Sequence, residues 1–71
     1  MNFEEILKEE LGEDIVLDDS IDDAAVDSLE YICFLKRLED KFNVLIPDEQ
    51  LGNFDTFRQL EEYVEELAAH A

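Results

Sequence analysis

The sequence predicts an all-α fold, a small four-helix bundle with a long loop between helices one and two and a short third helix. Three observations carry this. Apolar residues recur at helical spacing in three separate segments, capping residues stand at the segment ends, and the single proline, Pro47, forbids one continuous helix through the middle of the chain. Helix one, residues 2 to 11, follows from Phe3, Ile6, Leu7 and Leu11 between Asn2, an N-cap residue, and Gly12, a stop. Residues 12 to 27 lose the period, mixing acids with Ile15-Val16-Leu17 and the lone anchor Ile21, and read as an ordered loop pinned by those apolar side chains. From Asp27 the period returns: Tyr31, Leu35, Leu38 and Phe42 form a stripe that Ile32 widens. Asp27 caps this helix, Glu30 suits its positive end, and Lys36, Arg37 and Lys41 fall in its carboxy-terminal half, where the dipole favours cations. Ile46-Pro47-Asp48-Glu49 reads as an extended lead into a short third turn around 48 to 53. Thr56-Phe57-Arg58-Gln59 fits a capping box, and Phe57, Leu60, Val64 and Leu67 supply the stripe of the last helix.

Length and charge bound the function. With 71 residues the chain is one small domain, residues 1 to 71, without room for a catalytic module beside a substrate domain. Five basic against 21 acidic residues give a net charge of −16, which repels phosphate backbones and anionic lipid, so nucleic-acid and membrane-surface binding are excluded and basic protein patches are the natural counterpart. The 46% apolar content separates the chain from charge-rich disordered segments. Cys33, the single cysteine, cannot close a disulfide, a zinc site or a redox pair, and reads as a partly exposed helix residue. The first five residues carry no basic or apolar targeting pattern and no apolar run reaches membrane-spanning length, so a soluble, cytoplasmic monomer is expected.

The informative position is Ser28, after the capping Asp27 and before Leu29. A hydroxyl at a loop–helix junction faces solvent, and a phosphate attached to it would lie beside unpaired amides and the positive dipole end. Taken alone, the tripeptide reads as a plain helix start and is weak evidence for more. Its context is more specific. Asp27-Ser28-Leu29-Glu30-Tyr31-Ile32 opens a striped helix that Leu38-Glu39-Asp40-Lys41-Phe42 closes, Ile46-Pro47-Asp48-Glu49 follows, and Thr56-Phe57 opens the last helix. Together, over roughly residues 3 to 68, these resemble the acyl carrier protein family. The resemblance implies that Ser28 receives 4′-phosphopantetheine from coenzyme A through a phosphopantetheinyl transferase, and that acyl groups ride on the arm's thiol as thioesters. It implies a discrete carrier that is no enzyme, with acyl-loading enzymes and synthases or transferases bearing basic docking patches as partners. Asp27, Leu29 and Glu30 are then docking residues, with Cys33, Lys36 and Arg37 on the outward face of helix two.

The sequence departs from the family in two places. Asp22-Asp23-Ala24-Ala25-Val26 lacks the glycine that usually precedes the motif, and Cys33, Lys36 and Arg37 stand where fatty-acid carriers display acids and small apolar residues. These departures point to a specialised fatty-acid, polyketide or related pathway, with an aminoacyl or peptidyl carrier of a nonribosomal-type pathway as the alternative.

Other residues leave different chemistry open. Ser28 has no base to make it an enzyme nucleophile, since the one histidine, His70, is next to the last residue and reads as solvated. Asp19, Asp23, Asp27 and Glu30 occupy positions 1, 5, 9 and 12 of a twelve-residue calcium loop, with Val26 at the apolar position 8, but Ile21 and Ala24 replace an oxygen ligand and the turn glycine. No built metal site is expected, only diffuse divalent binding, and an unmodified acidic, calcium-responsive interaction module is the reading from another class. Tyr31 and Phe34 read as packing residues. Glu61, Glu62, Glu65 and Glu66 form like-charge pairs on a solvated face, each costing about a few tenths of a kcal/mol.

Overall fold

The computed structural model describes residues 2–24, 27–50 and 52–70. The element order is α1 (Phe3–Leu11), α2 (Ser28–Phe42), a 3-10 turn (Asp48–Gln50) and α3 (Phe57–Ala69), with no strand among the described residues. Among the described residues the architecture is therefore all-helical with three α-helices rather than the expected four, and the expected short third helix is a single 3-10 turn. Pro47 sets this limit: Gln50 N donates to the Pro47 carbonyl at 3.0 Å, and Gly52 and Asn53, both poor helix formers, follow two and three residues later. Leu51, within the span expected for that helix, lies outside the described residues, as do Ala25 and Val26 ahead of Asp27.

The caps follow the sequence closely. Asn2 Oδ1 accepts from Glu5 N at 2.9 Å, and α1 ends at Gly12, whose φ of +132° is strained for any residue with a Cβ. Asn43 closes α2 in the left-handed region at φ 55°, a conformation asparagine tolerates better than most residues. Thr56 Oγ1 accepts from Gln59 N at 3.3 Å, as a capping box requires, but the reciprocal bond is displaced by one residue: Gln59 Oε1 accepts from Asp55 N at 2.7 Å.

Three phenylalanines centre the core. Phe34 of α2 is fully buried and meets Phe3 of α1 and Phe57 of α3 edge-on, with ring centroids 5.6 and 6.4 Å away. Ile6, Leu7, Leu38, Leu60 and Val64 are equally enclosed. The stripe of α2 thus widens toward Phe34, while Ile32, on the other flank, is 42% exposed.

The long loop is fastened at both ends. Lys8 Nζ donates to the Glu13 and Ile15 carbonyls, both at 3.1 Å. Farther on, Ile21 N donates to Asp55 O and Arg58 N to Leu17 O, at 2.9 and 2.8 Å, and Ser20 bridges to Thr56. Arg58 Nε adds an ion pair to Asp18 at 2.6 Å. The chain leading toward Asp27 is thereby tied to the start of α3, and Ile15, Leu17 and Ile21 pack against the core as the sequence suggests, whereas Val16, expected to pin the loop with them, is 46% exposed.

Candidate functional site

Ser28 is the first residue of α2. Asp27, in an extended conformation, turns its carboxylate back so that Oδ1 accepts from Leu29 N at 2.9 Å, and its carbonyl takes the Tyr31 amide. The Ser28 and Glu30 amides come too early in the helix to join its i→i−4 ladder, which leaves positive partial charge at this end. The Ser28 side chain is exposed, and its hydroxyl makes no hydrogen bond with another described residue. Leu29 beside it is 72% exposed, Glu30 and Cys33 are exposed, and Ile32 shows part of its surface, so an apolar edge borders the serine one turn along. A phosphodiester on Ser28 fits this place: the side chain is exposed, its oxygen has no hydrogen-bond partner among the described residues, and the helix end favours an anion.

The cations of α2 separate. Lys36 is exposed, and no carboxylate among the described residues lies within ion-pair distance of it. Arg37 instead turns to α1, where its guanidinium reaches Glu9 at 2.7 Å and Glu10 at 2.5 Å, with only 31% of its side chain exposed. Those carboxylates hold the Arg37 guanidinium pKa above its ordinary value, Glu10 most strongly. The expectation that Arg37 faces outward beside Lys36 is thus corrected: successive helix residues lie about 100° apart, and α1 covers the side that Arg37 occupies.

No group of three or more His, Cys, Asp or Glu among the described residues is placed to hold a metal ion. The loop acids have other partners: Asp19 Oδ2 accepts from Val16 N, Asp18 pairs with Arg58, and Asp27 caps α2. Val26, the apolar position of the calcium-loop reading, lies outside the described residues. No helix among them is long and apolar enough to cross a membrane.

Two features escaped sequence reasoning. The Tyr31 hydroxyl is buried without a hydrogen-bond partner among the described residues, and an open pocket lies at the far end of α2. Helical period alone signals neither, because both depend on how the loops cover the helices.

An exposed serine opening the central helix of a small acidic helical protein is the geometry a carrier's attachment point requires. Comparison with known proteins agrees. Residues 3–64 match the family described as "Phosphopantetheine attachment site". The chain is 38% identical over 69 residues to an acyl carrier protein of Exiguobacterium sibiricum, an alignment covering 92% of this chain and 87% of that one. It is also 38% identical over 64 residues to an acyl carrier protein of Beutenbergia cavernae, covering 84% and 78%. The chain belongs to the acyl carrier protein family, whose members carry a 4′-phosphopantetheine prosthetic group.

Proposed function

We propose that Ser28 bears the phosphopantetheine arm and that the chain shuttles acyl groups for a specialised biosynthetic pathway. The observation that carries this is the Ser28 hydroxyl itself, exposed, unpaired and first in α2, directly after the capping Asp27. In the loading step Ser28 Oγ forms a bond to the phosphorus of coenzyme A that carries the pantetheine. The pyrophosphate P–O bond breaks, the nucleotide half leaves, and the hydroxyl proton passes to a base on the transferase, the Asp27 carboxylate being engaged by Leu29 N. When bound, the arm supplies a thiol that takes acyl groups as thioesters. Asp27 and Glu30 present carboxylates to a basic patch on the partner, and Leu29, with Cys33 beside it, offers an apolar contact at the centre of that patch. The names of the relatives favour acyl over aminoacyl cargo. Exposed Lys36 favours a specialised partner, because it opposes a basic docking surface. Mutual repulsion between copies of net charge −16 favours a monomer.

The test is intact mass after incubation with coenzyme A and a broad-specificity phosphopantetheinyl transferase. The natural chain gains one phosphopantetheinyl group. Ser28→Ala gains none while keeping its helical circular dichroism, and Ser20→Ala behaves as the natural chain. Modification that persists in Ser28→Ala refutes the assignment.

A further inference from the structure

At the carboxy-terminal end of α2, an open pocket of about 550 Å³ is lined by Glu39, Asp40, Asn43, Val44, Leu45 and Leu67. The segment after α2 explains its shape. Glu39 Oε2 accepts from Ile46 N at 2.8 Å, and Val44 N donates to the Glu39 carbonyl, which holds residues 44–46 against the helix end. Val44 and Ile46 are buried at 9% and 7% exposure, whereas Leu45 between them is 82% exposed, more than Leu29 beside Ser28. Leu45 therefore contributes nothing to the core, and its side chain, with Leu67 of α3, gives the pocket apolar walls. The polar lining is acidic. Its two charged lining residues are Glu39 and the exposed Asp40, and no lysine or arginine lines it. Lys41 shares this end of α2 but does not line the pocket.

We infer that this pocket is a tethering site for a cationic amphipathic helix of a partner protein. An apolar slot with an acidic surround selects an occupant with apolar anchors and basic flanks, while a second copy of this chain would bring another net charge of −16. The pocket lies roughly 20 Å along α2 from Ser28. A partner held there leaves Ser28 and its surrounding edge accessible, so the carrier stays attached to one protein while it is served by another. Tethering of this kind raises the effective concentration of the carrier without any new contact at the arm.

The experiment titrates the full chain with a 14-residue leucine–lysine amphipathic peptide, with a leucine–glutamate peptide of the same pattern as control, following methyl and amide shifts by NMR. Saturable shifts are expected at Val44, Leu45 and Leu67 with the cationic peptide alone. Leu45→Asp weakens binding by about tenfold or more, Asp40→Asn weakens it less, and Leu29→Asp leaves it unchanged. Leu45 is already exposed, so Leu45→Asp keeps the fold, which circular dichroism verifies. Mass gain at Ser28 in the presence of saturating peptide proceeds at the natural rate, which separates this site from the attachment reading. Equal affinity of Leu45→Asp and the natural chain, shifts centred on Leu29 and Ile32 or spread along the acidic face of α3, or a dimer that Leu45→Asp dissolves would each overturn the proposal.

Discussion

Tyr31→Phe should make this protein more stable, although it removes a polar group one turn from Ser28. The Tyr31 ring packs beside Phe34, with centroids 6.4 Å apart, and its hydroxyl oxygen is shielded from solvent without a hydrogen-bond partner among the described residues. A buried hydroxyl left unpaired costs about 1–3 kcal/mol, because water satisfied it in the unfolded chain. Phenylalanine keeps the ring and its contacts and loses one oxygen, so the void is smaller than a methyl group. Tyr31 is only half-buried as a residue, so the low end applies and a gain of about 1 kcal/mol is expected. For a domain of this size that is a rise in Tm of about 4–8 °C. Burial also pushes the Tyr31 pKa above its ordinary value of 10.0. Above pH 10 the unfolded state therefore releases this proton more readily than the folded one, so the unfolded state binds fewer protons and stability falls as pH rises. The gain from Tyr31→Phe should accordingly widen between pH 7 and about pH 11. Urea unfolding at both pH values measures each part. A lower midpoint at pH 7, or a difference that does not grow with pH, would show that the hydroxyl is satisfied and refute the reasoning.

Further outcomes follow from the caps and charges of α2. Asp27→Ala should lower stability by about 1 kcal/mol through loss of the cap on Leu29 N, whereas Asp27→Asn keeps an acceptor oxygen and stays near the natural value in a denaturant titration. If the Asp27 charge also docks partners, Asp27→Asn should still slow phosphopantetheinyl transfer, with the deficit shrinking as salt is added. Lys36→Met should leave the unfolding midpoint unchanged and improve elongation of the acyl-loaded protein by a general fatty-acid ketosynthase, while Arg37→Ala should lower the midpoint at low salt and leave elongation as it was.

Much of the fold was legible because its determinants are local. Asn2, Asp27 and Thr56 cap helices where their side chains and the following apolar period predict, and Gly12 ends α1 at a positive φ that suits glycine. Elements set by distant contacts were less legible. The turn at Asp48–Gln50 carries helix-compatible residues, but Pro47 and Gly52 leave too few between them for a helix. Ile32 and Phe34 both extend the stripe of α2 by spacing, and only the positions of Phe3 and Phe57 decide that Phe34 is the one enclosed. At the site, exposure of Ser28 follows from its place at the helix start. The orientation of Arg37 depends on where α1 lies, which no period within α2 encodes.

That orientation changes what the charges of α2 can do for recognition. Read along the sequence, Lys36 and Arg37 form a doublet that opposes a basic docking patch twice over. In the folded chain Arg37 is held by Glu9 and Glu10, so it is neutralised and joins α1 to α2, and the outward doublet reduces to Lys36. A single exposed cation acts through a screened, solvent-weakened field, and its main effect falls on the association rate. If this face docks synthases as proposed, Lys36 biases encounter, and discrimination after encounter comes from the apolar edge of Leu29 and Ile32, where contacts are short enough to depend on shape. Selectivity that persists at high salt would then belong to that edge, and selectivity that salt abolishes would belong to Lys36.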